Sequence, residues 1–236
     1  MLQIIYQDED IIAINKPHGL LVHRTGIATN ADTFAVQELR NQIDKHVYPV
    51  HRLDRKTSGV LLFTLKKELI PVLMKQFEEQ QVKKSYWAIL RGYTDDEGTI
   101  DYPLTNNKGK TQEAVTHYKT LVRTELDLPF GKHKTSRYSL IEAKPETGRM
   151  HQLRKHFAHI LHPIIGDRPH GCNKQNKLFL KKWNMSTMLL HAISLEFIHP
   201  TSEGAIKLTA DLRVEFNRML KTLEFNRYME SVSEYV

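Results

Sequence analysis

Residues 51–59, HRLDRKTSG, set one carboxylate, Asp54, between Arg52 and Arg55, with His51 and Lys56 close by. A carboxylate ringed by cations stays ionised at neutral pH, which suits it to act as a nucleophile or base beside anionic groups. A second chemical stretch is TGRMHQLRKHFAHI, 147–160. At about 100° per residue, Met150, Leu153, Phe157, Ile160 and Leu161 form one stripe that should face a core, while His151, Lys155 and His159 point elsewhere. Arg154 falls on the edge of that stripe, where its guanidinium is partly desolvated and needs a planar anion. Asp54 is the candidate partner, held ionised by it; a plain salt bridge tying a helix to a strand would produce the same pattern.

Aromatic and cationic residues also interleave in KKSYW, 83–87. Lys84 and Tyr86 share one face of an alternating strand, so Tyr86 could stack on a base while Lys84 holds a phosphate, or Tyr86 could pack in the core. His151, His156, His159 and His162 lie in a stretch with no Asp or Glu between Arg149 and Gly166. That run reads as a phosphate-facing surface rather than a metal site, with Thr147 and Gly148 opening a helix N-terminus toward it. The acidic clusters at 8–10 and 95–97 sit in turns and carry little weight for paired-carboxylate hydrolysis.

The whole chain agrees with an anionic partner. Lys and Arg number 34 against 27 acidic residues, a formal charge of +7, as expected where phosphate contacts release counterions. The 236 residues are 40% hydrophobic, enough for a sizeable core, and contain a single cysteine, Cys172, which excludes a disulfide framework and a cysteine zinc site. No run reaches the length of a membrane span, and the start, MLQIIYQDED, turns acidic too early for a secretory signal, so a cytoplasmic protein is expected.

The elements that must position these groups are short. DIIAI (10–14) and GVLLFTL (59–65) read as buried strands, with NKPHG (15–19) as a turn. An amphipathic helix is expected over 66–81, with Leu69, Val72, Leu73 and Phe77 on its apolar face. Strands follow at 82–92, 98–104, 113–122 and 137–144, a helix at 149–161, strands at 188–200 and 205–212, and a last helix at 212–224 carrying Phe216, Met219, Leu220 and Leu223. No repeat or linker divides the chain, and the irregular alternation argues an α+β fold on a mixed, largely antiparallel sheet with flanking helices.

Taken in order, these stretches resemble the RluA family of pseudouridine synthases. HRLDRKTSG is similar to that family's catalytic-aspartate motif, KSYWAILRG to its second motif, and TGRMHQLRKHFAHILHPIIGD to its third. The opening IIYQDEDIIAINKPHGLLVH and the late LLHAISLEFIHP share the likeness. The resemblance implies a pseudouridine synthase fold with a central catalytic cleft, in one catalytic domain over 1–236 without a separate N-terminal RNA-binding domain. It implies Asp54, Tyr86 and Arg154 as catalytic residues and Arg52 as the residue entering the RNA stack when the base leaves. Leu153 is implied in the site, and Arg55, Lys84, Arg149 and His151 are expected to bind substrate. RNA, foremost tRNA, is the implied partner of a monomeric enzyme that needs no cofactor or metal. Leu161, where many members have glycine, and His170, where many have tyrosine, are most similar to the branch acting on uridine 65 of the tRNA T-stem. A ribosomal RNA or other tRNA target, or an RNA-binding assembly factor without chemistry, are the alternatives.

Overall fold

In the computed structural model, which describes residues 1–23 and 33–226, the chain forms twelve strands, five α-helices and one short 3-10 helix (Lys67–Leu69) among the described residues. The first stretch runs β1 (Gln3–Gln7), β2 (Ile11–Lys16), α1 (Ala35–Ile43), β3 (Tyr48–Pro49), β4 (Ser58–Thr64) and α2 (Ile70–Glu78). The middle comprises β5 (Lys83–Arg91), β6 (Glu97–Asp101), β7 (Leu104–Thr105), β8 (Thr111–Gln112), β9 (Val115–Leu126) and β10 (Ser136–Pro145). Helices α3 (Gln152–His159) and α4 (Asn173–Trp183) follow, then β11 (Leu190–Ile198), β12 (Ala205–Thr209) and α5 (Val214–Thr222). The tail after Asn226 lies outside the described residues.

Two compact units emerge. The first combines 1–84 with 191–213, and the second combines 85–190 with 214–236. In the first, β1, β2 and β4 pair antiparallel, β4 pairs parallel with β11, and β11 pairs antiparallel with β12. Every residue of β4 is buried, as an apolar run without alternation demands when both faces of a strand are covered. Its core joins Ile11, Ala13, Val60 and Leu62 to Leu73 of α2 and to Leu195, Phe197 and Leu208. At the start of β4 the backbone of Gly59 takes φ +108 and passes so close to β11 that a Cβ would collide with the Ala192 carbonyl. Only glycine fits there.

Helix α2 lies inside the expected span, but its core face differs from the apolar pattern. Val72 is exposed, and the buried position belongs to Gln76, whose amide donates to the Ile198 carbonyl at 2.8 Å and accepts from the Ile198 N–H at 2.9 Å. A polar side chain can be buried there because an edge backbone satisfies both of its ends.

The second unit is built on the antiparallel strands β5, β10, β9 and β6. Ala88, Leu90, Ile141 and Ala143 pack with Leu153 and Phe157 of α3, and Tyr86 lies half-buried against the same cluster. Helix α5 buries Phe216, Met219 and Leu220, and Leu223 is buried just after it, the four residues expected on its apolar face. The mixed, largely antiparallel sheet expected from the sequence is present. Helices α1 and α4, β1, β3 and the β7–β8 hairpin lie outside the sequence expectations.

Candidate active site

In the first unit Asp54 is half-buried on a turn closed by the Thr57 N–H, which donates to the Asp54 carbonyl at 3.1 Å. The turn is interlocked with NKPHG. The Gly19 N–H donates to the Arg55 carbonyl at 2.8 Å, and Arg55 Nε donates back to the Gly19 carbonyl at 2.9 Å. Beneath both lies Lys16, fully buried, its Nζ donating to the carbonyls of Pro17 (2.9 Å), Leu20 (2.8 Å) and Arg55 (3.3 Å). Burial lowers the Lys16 pKa to about 7, opposed by the negative charge of Asp54. One ammonium thus staples two turns together under the carboxylate.

His51, beside Asp54 in the sequence, is not one of its cations. The His51 ring stacks on Phe77, with centroids 5.1 Å apart, and its Nε2 accepts a hydrogen bond from the Leu62 N–H at 3.0 Å. An accepting nitrogen carries no proton. Burial, with the Lys84 charge adding to it, lowers the His51 pKa to about 3, so this ring is neutral and structural. His18 is pushed down to about 4, first by burial and then by the charges of Lys16, Lys56 and Arg55. Arg52 is exposed ahead of Asp54, Arg55 is exposed with one donor committed to Gly19, and Lys84 is half-buried on β5.

In the second unit Arg154 is buried, as its place on the edge of the apolar stripe requires. Its Nε and Nη2 donate to the two carboxylate oxygens of Asp167, each at 2.8 Å, and the two side chains are 5% and 1% exposed. The planar carboxylate that the sequence argument demands for Arg154 is, within this unit, Asp167. Asn176 of α4 fixes it: its amide donates to the Asp167 carbonyl at 2.7 Å, and its oxygen accepts from the Gly166 N–H at 2.9 Å. The sequence signal for Asp167 was the terminal GD of the third motif.

The helix carrying Arg154 is shorter than expected. It begins at Gln152, with His151 before it in the left-handed region at φ 57. Thr147 and Gly148 therefore do not open it; Thr147 Oγ1 donates to the Gln152 side-chain oxygen at 2.6 Å. Met150 and Leu161, expected on the core stripe, lie beyond its ends and are exposed, at 38% and 83%, whereas Leu153 and Phe157 are buried. Leu161 adopts φ 64, which explains why glycine suits this position.

His156 also departs from expectation. It is buried, with Nδ1 and Nε2 each 3.0 Å from Thr116 Oγ1 and the Tyr102 carbonyl, and burial lowers its pKa. It belongs to the packing and not to a phosphate-facing surface. His159 is exposed and stacks on Tyr102 at 3.7 Å. His151 Nδ1 lies 3.0 Å from His170 Nε2, and Arg149 is half-buried with Nε donating to the Glu113 carbonyl at 3.0 Å.

The structure therefore gathers Arg52, Asp54 and Arg55 on one braced turn of the first unit. In the second, Tyr86 packs against the core cluster that contains Leu153, and the next residue, Arg154, is held by Asp167. A fixed carboxylate, an exposed guanidinium two residues before it and an aromatic beside an apolar side chain are groups suited to a base attached to an anionic backbone.

Comparison with known proteins agrees. A family model described as RNA pseudouridylate synthase matches residues 10–159, a span that includes Asp54, Tyr86, Leu153 and Arg154. The chain is 47% identical over 221 residues to tRNA pseudouridine synthase C of Yersinia pestis, covering 89% of this chain and 86% of that protein. It is 43% identical over 236 residues to the protein of the same name from Vibrio parahaemolyticus, covering 95% and 96%. The solved structure of Human RNA Pseudouridylate Synthase Domain Containing 1 superposes with a TM-score of 0.72 at 22% identity, covering 95% of each chain, and shares the fold. By the match to the family model and the identity over nearly its whole length, the chain belongs to the RNA pseudouridylate synthase family.

Proposed function

We propose that the protein is a tRNA pseudouridine synthase that isomerises uridine 65 in the T-stem, acting as a cytoplasmic monomer. The observation that carries this reading is the braced turn of Asp54, together with the relatives named for tRNA pseudouridine synthase C.

The reaction breaks the bond between N1 of uracil and the ribose anomeric carbon, rotates the base, and joins C5 to the same carbon. A proton leaves C5 and N1 gains one, so atoms and electrons balance without an oxidant, nucleotide or metal. A paired base must first leave the helix, at a cost of roughly a few kcal/mol in stacking and pairing. In this reading Arg52 fills the vacated stack, while Tyr86 and Leu153 pack the extruded uracil. Asp54 acts at the ribose, by attack on the anomeric carbon or removal of the neighbouring sugar proton. Either route needs an ionised carboxylate at a fixed place, and the stapled turn supports that need. Arg154, its fork oriented by Asp167, supplies positive charge to the same step. Arg55, Lys84, Arg149 and His151 take phosphates.

The test is nucleoside analysis of unmodified tRNA incubated with wild type or Asp54→Asn in excess chelator, with the modified position mapped by pseudouridine-selective derivatisation. Pseudouridine at one T-stem position with wild type alone is the expected result. Turnover by Asp54→Asn at an ordinary rate would remove Asp54 from the chemistry, and modification of ribosomal RNA in its place would move the substrate.

A further inference from the structure

A cavity of about 300 Å³ opens in the second unit, at the end of β5 and the turn between β9 and β10. Arg91 is five residues along β5 from Tyr86, which at about 3.3 Å per residue puts them roughly 17 Å apart. The cavity is therefore distinct from the place where Tyr86 would pack a base.

Its buried lining is polar. Tyr138 is fully buried, and Gln175 of α4, also buried, donates from Nε2 to its hydroxyl oxygen at 2.6 Å. Burial pushes the Tyr138 pKa up to about 12, so the phenol keeps its proton. The walls are cationic. The Arg91 guanidinium lies 5.3 Å over the Phe130 ring, and His133, Lys134 and Arg137 come from the turn and the start of β10. Among the described residues neither Arg91 nor Lys134 has a carboxylate at ion-pair distance. The acidic group nearby, Glu125, is shared by Arg137 (3.1 Å), Tyr93 (3.3 Å) and Thr135. Helix α4, which supplies Gln175, carries Lys174, Lys177, Lys181 and Lys182 exposed and no acidic residue.

An excess of positive charge over the single carboxylate of Glu125, around a small polar hollow, selects an anion. The guanidinium of Arg91 already covers Phe130, so the walls present donors to a ligand and not an open aromatic face. That favours a phosphate over a nucleobase. We propose that this cavity seats a backbone phosphate of the RNA substrate, several nucleotides from the reacting uridine, with Arg91 and Lys134 as its contacts. The inference rests on the reading of the protein as an enzyme acting on RNA. Such a contact adds affinity and register without touching the chemistry.

Filter binding of an unmodified tRNA transcript across a salt series, with wild type beside Arg91→Gln/Lys134→Gln, tests it. Melting by circular dichroism checks that the variant folds. The dissociation constant should rise about tenfold, and the slope of log Kd against log salt should fall by about one to two, one unit per lost phosphate contact. The loss should fall on affinity, with pseudouridine formation at saturating RNA keeping its single-turnover rate. Glu125→Gln, which removes the competing acid, should tighten binding. Unchanged Kd and slope in the double variant overturn the proposal, and so does a fall in the saturated rate as large as the loss of affinity. Saturable binding of inorganic phosphate with tRNA binding unaffected by the substitutions assigns the cavity to a free anion and likewise overturns it. If wild type makes no pseudouridine in tRNA yet the double variant still loses RNA affinity, the activity reading fails and the phosphate site stands.

Discussion

Replacing Asp167 by Asn changes little in shape and removes one charge from a pair whose members are 5% and 1% exposed. The two 2.8 Å bonds from Arg154 then face a carboxamide that presents one acceptor oxygen and one NH2 group, so one of the two donors meets another donor. Removing one partner of a buried, bidentate pair costs about 3–5 kcal/mol, because the remaining charge stays desolvated. With a urea dependence of about 3 kcal/mol per molar, the unfolding midpoint should drop by roughly 1–1.7 M. Trp87 and Trp183 both lie in the unit that holds the pair, so intrinsic fluorescence follows its unfolding directly. Pseudouridine formation should fall as well, since the guanidinium loses the fork that orients it. The double replacement Arg154→Met/Asp167→Leu should recover much of the stability and none of the activity, because an apolar pair can substitute for the packing but not for the charge. A midpoint for Asp167→Asn within about 0.2 M of wild type would refute the reasoning, since it would mean that the carboxylate does not hold Arg154.

Two further outcomes follow from the described geometry. Lys16 has a folded pKa of about 7 against 10.5 for an exposed lysine, so between these values the unfolded chain binds the extra proton and stability contributed by this group rises with pH. Thermal midpoints measured from pH 7 to pH 10 should show wild type gaining on Lys16→Met as pH increases, and a gain in the opposite direction would reverse the assigned shift. Leu161 is 83% exposed at φ 64, so Leu161→Gly loses little burial and relieves a left-handed side chain, which should stabilise by up to about 1 kcal/mol in urea unfolding; destabilisation would show that the side chain packs after all.

What the sequence made legible was decided by apolar pattern. β2 and β4 are continuous apolar runs, α5 repeats its apolar residues at helical spacing, and Leu153 with Phe157 marks the buried face of α3. Helices α1 and α4 escaped because AVQELRNQI and NKQNKLFLKKW bury few apolar residues, and α4 covers its inner face partly with Gln175. The candidate site divides in the same way. Asp54 and Arg154 stood out by charge in unusual places and by the motif resemblance. Lys16 and the neutral state of His51 depend on carbonyls and N–H groups supplied by segments up to 39 residues away, and no local pattern announces such partners. The helix ends were misread for a related reason: backbone turns at His151 and Leu161 stop a periodicity that the apolar residues alone would continue.

Gly59, pressed against Ala192, also sets a timetable for the ribosome. The hydroxyl of Ser58 rests on His191 Nδ1, 2.9 Å away and 133 residues later in the chain. At about 5–20 residues per second, the strand that completes this side of the Asp54 turn is synthesised roughly 7–27 seconds after the turn itself. During that interval the apolar edge of β4 waits for its parallel neighbour, while strands β5 to β10 are made. The nascent chain completes the support of the Asp54 turn late, and a ribosome stalled before residue 191 would carry the aspartate motif without the strand that pairs with it.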